Sequence, residues 1–258
     1  MRMLSKAKLK LFASLHLKKY RYQHRMFVVE GKKMVQEAYQ SGWPIEALVV
    51  REDQDLMPLQ GLEGVAPERR YVAGAAAYRQ LSTQAHAEGV LAVVCVPPHA
   101  FERCASLEVA RLQGPGFMLD RIQDPGNLGT IIRTADWFGL RSVICSMGTV
   151  DVLNPKCLRS SMGSIFRVHM VYVEAFEELI RSAGQRVWLA GMQGLPLGEA
   201  SFGKDDFVVL GNEARGLSQS LASRSGINFV TIPGTGGAES LNVAIAAGIF
   251  GWELSKVR

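Results

Sequence analysis

Asp120-Arg121-Ile122-Gln123-Asp124-Pro125-Gly126-Asn127-Leu128-Gly129-Thr130-Ile131-Ile132-Arg133-Thr134 joins an apolar run to a helical pattern, and this junction decides the fold. Pro125-Gly126 turns the chain sharply out of a strand ending at Asp120, and Asn127 is a good helix N-cap. Leu128, Ile131, Ile132, Ala135 and Phe138 then recur at helical spacing and define a buried stripe. The same sequence of events returns twice, at Leu210-Gly211-Asn212-Glu213-Ala214-Arg215-Gly216-Leu217-Ser218 and at Ile232-Pro233-Gly234-Thr235-Gly236-Gly237-Ala238-Glu239-Ser240-Leu241-Asn242-Val243. Each segment reads as a loop at the carboxyl end of a strand, the edge of an α/β sheet where ligands bind. Converging there, the three make one pocket of backbone amides, one Arg, one Glu and small polar side chains.

Working outward, residues 116–258 alternate short apolar runs with helical patterns. Strands are expected near 117–120, 142–146, 168–173, 186–191, 206–211 and 228–232, with helices near 127–138, 154–162, 175–183, 216–223 and 240–255. Such alternation implies an α/β domain with a mostly parallel sheet covered on both faces. Residues 1–97 read as a smaller mixed α/β domain. A basic helical region runs through about Leu17, strands follow at 26–29, 45–50, around Val72 and at 89–96, and helices at 31–40 and 75–81. Pro97-Pro98 ends the last strand, since proline cannot donate to a ladder. Residues 98–115 are expected to be a linker with one short helix.

Composition narrows the class. At 258 residues two domains are expected. No apolar stretch reaches bilayer length, and the charged start is followed by no apolar block, so a cytoplasmic location is expected. Cys95, Cys104, Cys145 and Cys157 form no C-x-x-C pair, and His16, His24, His86, His99 and His169 have no ligand spacing, so no metal is expected. The net charge of +5 is unevenly spread. Residues 1–33 carry ten Lys or Arg against the single acid Glu30, a density that suits a polyanion. Lys6, Lys10, Arg21, Arg25 and Lys32 are the candidate polyanion contacts there. Phe12, Tyr20, Tyr22 and His24 are interleaved, either as base-stacking groups or as core.

The motifs leave specific alternatives. Arg133 lies opposite the buried stripe, with Thr130, Thr134 and Trp137. It is either a surface partner of Asp136 or Asp124, or a guanidinium in the pocket. Glu213 is either a site carboxylate or a helix-start charge that offsets a macrodipole. The third segment is glycine-rich before a helix but lacks Gly-Lys-Ser/Thr, so it is no phosphate loop, and its spacing is not that of a dinucleotide fingerprint. Ser240 and Asn242 are both candidate N-caps of the terminal helix, a role expected above all of Ser240.

Together the three segments resemble the signature motifs of the SpoU/TrmH family of RNA ribose 2′-O-methyltransferases, in the family's order, over about residues 115–255. Residues 1–97 more loosely resemble the substrate-binding domain that many members carry in front, chiefly at Phe27-Val28-Val29-Glu30-Gly31. The resemblance implies a SPOUT fold with a trefoil knot, a homodimer formed through the C-terminal domain, and S-adenosylmethionine as cofactor. It implies catalytic roles for Arg133, Asn127, Glu213, Ser240 and Asn242, with Glu213 orienting Asn127 or Arg133. Cofactor binding falls to Gly211, Ile232, Leu241, Leu210, Asn212 and Pro233. Arginine is effectively always protonated, so Arg133 suits stabilisation of a developing alkoxide better than base catalysis. The glycines at 234–237 depart from the family's usual pattern. The implied substrate is structured RNA, ribosomal ahead of transfer RNA. A non-catalytic RNA-binding or ribosome-assembly factor on the same fold is the alternative, and a nucleotide-dependent oxidoreductase is disfavoured by the glycine spacing.

Overall fold

The computed structural model describes residues 1–54, 61–222 and 226–257. They divide into two compact units, Met1–Pro98 with Leu153–Phe166, and His99–Val152 with the described residues from Arg167 onward.

The first unit is built on a five-stranded mixed sheet of β1 (Arg2–Met3), β4 (Arg70–Ala73), β3 (Ile45–Arg51), β5 (Val90–Cys95) and β2 (Met26–Glu30), in that order. β5 runs antiparallel to β2 and β3, while β4 runs parallel to β3 and β1. Its helices are α1 (Lys6–Ser14), α2 (Lys18–His24), α3 (Lys32–Gln40) and α4 (Ala75–Leu81). The basic stretch therefore forms two helices, where the sequence suggested one. Ser5 Oγ caps α1 by accepting from Lys8 N, and Arg25, at φ 50°, ends α2 in the left-handed region. Phe12 and Leu15 are buried with Ala47, Val49, Tyr78, Leu91 and Val93. Burying each large apolar side chain favours the fold by roughly 1.5–3 kcal/mol. Helix α6 (Pro155–Ser161), read from the sequence as part of the second domain, groups with this unit and packs on β2.

The second unit carries a seven-stranded sheet ordered β12 (Asn228–Thr231), β10 (Val187–Pro196), β11 (Phe207–Leu210), β7 (Gly116–Leu119), β8 (Ser142–Ser146), β9 (His169–Val173) and β6 (Glu102–Cys104). Every neighbouring pair is parallel. Within 98–115, read from the sequence as a linker with one short helix, the chain makes a single helical turn at Val109–Arg111 and also forms β6, an edge strand beside β9 that the sequence reading did not include. Three residues are too few to show a period of two, so the sequence hid this strand. β10 is longer than expected, with a register shift between Ala190 and Leu195 against β12.

Alternation along β7 sorts the two faces. Met118 packs with Ile144, Val171, Leu189 and Val209 under Phe176, Leu179 and Ile180 of α7 (Phe176–Ala183). Phe117 points the other way, towards α9 (Val243–Ser255), whose Gly251 also lies against Phe138 and Thr134. Thr134 belongs to α5 (Pro125–Trp137), so α5 and α9 cover this second face together. Their sequence places both helix N-termini beside the carboxyl ends of the strands. The short α8 (Gln219–Ala222) replaces the longer helix expected over 216–223, of which residue 223 lies outside the described residues.

Candidate active site

Asp120 follows β7 and is 4% exposed. A buried carboxylate is costly unless it is paired and hydrogen-bonded. Here Arg121 supplies both Nε (2.9 Å) and Nη2 (3.1 Å), and Ser218 N donates at 2.7 Å. Arg121 sits at φ 57°, which folds its side chain back onto its neighbour, and its N–H donates to Ser146 Oγ. The hydrogen bonds it donates to Asp120 hold the Arg121 guanidinium above its ordinary pKa. Asp120 thereby ties the first motif loop to the second. Sequence reasoning missed this pair; adjacent opposite charges at a strand end are its only signal.

The loop after β11 is a closed turn. Asn212 N donates to Gly216 O at 2.9 Å and Gly216 N to Asn212 O at 2.8 Å. Gly216 adopts φ 64°, and a Cβ on Gly211 would run into the backbone of Gly216 and Leu217, so both glycines are demanded by the turn. Asn212 Oδ1 accepts from Ala214 N and Arg215 N, while its Nδ2 donates to Arg121 O at 2.8 Å. This side chain is spent on the loop itself. Asn212, expected from the resemblance to contact the cofactor, thus has its side chain engaged in shaping the loop, with its backbone at the strand edge. Leu210 is buried at the end of β11.

From that turn Glu213 reaches the N-terminus of α5. Its Oε1 accepts from Asp124 N (3.1 Å) and Asn127 Nδ2 (3.0 Å), and its Oε2 from Gln123 N (3.1 Å). Partial burial works to raise the carboxyl pKa. The bonds from Asn127, Gln123 and Asp124 outweigh it and hold the group below the usual carboxylate range. The two readings of Glu213 thus coincide, because the macrodipole it offsets is that of α5, contributed from another loop. Asn127 in turn accepts at Oδ1 from Asn242 Nδ2 (3.1 Å), and Asn242 Oδ1 accepts from Ala244 N and Ile245 N at the start of α9. Every bond in this run points the same way, from the amides of α9 through two carboxamides to one carboxylate. Aligned chains of this kind polarise one another.

Two cap assignments are corrected. Asp124, not Asn127, caps α5, accepting from Asn127 N at 2.9 Å, with Pro125 in the first turn. Asn127 is freed for the network because it already lies inside the helix. Likewise Asn242, not Ser240, caps α9, since the helix begins at Val243. Ser240 is exposed in the loop before it.

Arg133 lies six residues beyond Asn127, about 9 Å along the axis of α5, and its side chain is exposed. Asp136 pairs with Arg167 at 2.8 Å, and Arg133 makes no hydrogen bond or ion pair with any described residue. The surface-pair alternative is removed, and so is an orienting bond from Glu213 to Arg133. Ile232 is half-buried and Pro233 exposed after β12, while Leu241 is 49% exposed. Ala190, inside the strand expected over 186–191, pairs with Val230 of β12, and the sequence reading ended that strand short of Pro196. Among the described residues no group of three His, Cys, Asp or Glu could hold a metal ion. No described helix is long and apolar enough to cross a membrane.

In the first unit, Lys6, Lys10 and Lys32 are exposed, as are Lys18 and Lys19. Arg21 is not available to RNA: it is 4% exposed, and its Nη1 donates to Leu15 O (3.0 Å) and His16 O (2.8 Å), fastening α1 to α2. Its candidacy is corrected, because the turn between two short helices leaves carbonyls that a guanidinium satisfies. Arg25 also serves the fold, with Nη2 2.7 Å from Pro97 O. Phe12 is core, while Tyr22 is exposed beneath Lys18.

Residues 116–252 match the SpoU rRNA Methylase family, and residues 6–92 match an MRM3-like substrate binding domain. The chain is 33% identical over 250 residues to the 23S rRNA (guanosine(2553)-2′-O)-methyltransferase RlmP of Bacillus subtilis, covering 96% of this chain and 95% of that one. It is 31% identical to the 23S rRNA (uridine(2479)-2′-O)-methyltransferase of Streptomyces viridochromogenes, covering 86% and 79%. Among solved structures, the AdoMet-bound rRNA methyltransferase from Sinorhizobium meliloti superposes with a TM-score of 0.80 at 29% identity, covering 99% and 97%.

Proposed function

This chain belongs to the SpoU rRNA methylase family, and we propose that it transfers a methyl group to a ribose 2′-OH of ribosomal RNA, in the cytoplasm. The single observation that carries the reading is the Glu213–Asn127–Asn242 run, which joins residues from all three motif loops at one sheet edge. Both 23S rRNA relatives support ribosomal RNA as the target class.

The residues present fit S-adenosylmethionine. Gly211 lets the turn after β11 close tightly, Ile232 and Leu241 in the third motif loop leave apolar surface exposed, and no described basic side chain bonds into the turn from Asn212 to Gly216. Bound there, the cofactor supplies an activated methyl on a sulfonium, so no metal is needed. Gly211, Leu210 and Pro233 offer backbone to it, and Ile232 and Leu241 take its adenine. Arg133, charged and without a partner among the described residues, offsets charge growing on the ribose oxygen. Asn127, Glu213 and Asn242 hold the loops in register, and Ser240 stands beside them. Residues 1–97 bind the RNA through Lys6, Lys10 and Lys32, and residues 116–258 carry the chemistry.

The family's trefoil knot and homodimer belong to the same proposal. On α5 and α9, Trp137 (82% exposed), Ile245 and Trp252 present an apolar face that water disfavours, and a second copy of the chain suits it. Calorimetry with S-adenosylmethionine and its demethylated product tests the cofactor. Mapping ribose methylation in rRNA from cells with and without the protein tests the target. A folded protein that binds neither ligand, or an unchanged methylation map, overturns the reading.

A further inference from the structure

A cavity of about 260 Å³ opens in the first unit between the C-terminal part of α3, the turn that leads into β3, and residues 64–66. Its walls include Tyr39, Trp43, Ile45, Val65 and Arg69, and none of its described lining residues is acidic. Its size lies just under the ~300–1,000 Å³ of pockets that take drug-sized ligands, which leaves room for one planar ring system.

The walls are held in place. Trp43 meets Phe27 and Phe166 edge-on, at centroid distances of 6.2 and 5.1 Å, so its ring plane is fixed. Arg70 donates to Glu63 O (2.6 Å) and Val65 O (2.7 Å), pinning the opposite wall. Any side chain at Gly64 would meet the Tyr39 hydroxyl, so glycine there lets the tyrosine extend along the cavity. Arg69 Nη1 donates to Ile45 O at 2.8 Å, which uses one of the five N–H donors of its guanidinium. A cation is disfavoured by Arg69 and by the lack of carboxylates among the described lining residues. What fits is a flat π-face with a polar, electron-rich edge.

We propose that this cavity receives one unpaired nucleobase of the RNA substrate, stacked against Trp43 with Arg69 holding its edge or adjoining phosphate. Sequence-specific RNA recognition works this way, with splayed-out bases stacked on aromatic rings and bonded at their edges. The inference rests on the RNA reading above and adds where in the first unit a base is read, separately from the basic helices that attract the backbone.

The test uses the full-length protein and a 23S rRNA transcript, with affinity measured by filter binding at fixed salt. Ala66→Phe fills the cavity and Arg69→Gln removes its cation, and neither touches the contacts of Trp43 with Phe27 and Phe166. Thermal melts verify the fold, and S-adenosylmethionine affinity serves as the control. Both variants are expected to weaken RNA binding by roughly 5- to 150-fold, the share that one stacked base contributes, while cofactor affinity holds. Ultraviolet crosslinking of the wild type to the transcript is expected to mark the peptide that contains Trp43. Wild-type affinity in both variants, with crosslinks confined to residues 1–33, overturns the base pocket and leaves the methyltransferase reading intact. A changed oligomeric state with unchanged RNA affinity overturns it too, assigning the cavity to a second copy. If the wild type binds neither the transcript nor the cofactor, both readings fall together.

Discussion

Glu213→Gln is the most discriminating change at the site, because it keeps the shape of the side chain and removes one acceptor and the charge. The carboxylate accepts three bonds, from Asp124 N, Asn127 Nδ2 and Gln123 N. A glutamine oxygen placed at Oε1 retains the first two as neutral bonds. Its NH₂ group then faces the N–H of Gln123, donor against donor. The lost bond to a charged acceptor is worth about 1.5–3 kcal/mol, cut to about 1–2 kcal/mol because an exposed carboxylate recovers hydration. If that energy is felt in loop register during transfer, kcat falls by roughly 5- to 30-fold. Cofactor affinity holds, since Asn212 closes the Gly211–Gly216 turn without help from Glu213. The assay is labelled methyl transfer to rRNA at saturating cofactor, combined with calorimetry and a double-mutant cycle with Asn127→Ala. Residues of one hydrogen-bonded network couple by about 0.5–3 kcal/mol. The pH profile adds a second check. With its pKa lowered in the fold, Glu213 contributes stability that is fully present above the unfolded carboxylate value and is lost as pH falls through the folded one. No loss of rate between neutral pH and about pH 5 therefore comes from this group. Wild-type kcat in Glu213→Gln, or strict additivity with Asn127→Ala, refutes the relay.

Arg133→Ala and Arg133→Lys are both expected to lose most transfer activity without a shift in melting temperature, because the side chain is exposed and unpaired among the described residues; near-native activity of the lysine variant would remove the guanidinium from the mechanism. Gly211→Ala is expected to abolish cofactor heat in calorimetry, since its Cβ meets backbone at Gly216 and Leu217. Reversing Lys6, Lys10, Lys18 and Lys19 to Glu should lower the log–log salt slope of RNA affinity by about 3, whereas Arg21→Ala should instead cost about 2–4 kcal/mol of stability in a melt by orphaning two carbonyls.

The parallel sheet was legible because its signals are local. Val143, Ile144 and Cys145, or Val208 and Val209, sit in continuous apolar runs, since a parallel strand is buried on both faces. Four residues of the expected stripe, Leu128, Ile131, Ile132 and Ala135, are fully buried as their spacing required, while the fifth, Phe138, is half-buried where the helix ends. What failed depended on partners far along the chain. β6 exists because β9 offers it an edge, and α6 groups with the first unit by packing on β2, more than 120 residues earlier in the chain. Neither fact has a trace in local periodicity.

The site shows the same division more sharply. Residue types at motif positions pointed to Asn127, Glu213 and Asn242, and the structure joins them. Their roles, however, follow from where two helices begin. Shifting the cap of α5 from Asn127 to Asp124 turns Asn127 from a group spent on its own helix into one whose two amide atoms reach Glu213 and Asn242. Moving the start of α9 to Val243 makes Asn242 both cap and relay, and leaves Ser240 in the loop. A helix N-terminus carries unsatisfied amides and a partial positive charge. Two such ends meeting one carboxylate explain why three loops distant in sequence need Asn, Glu and Asn together. Arg133, exposed and unpaired among the described residues, takes no part in that network.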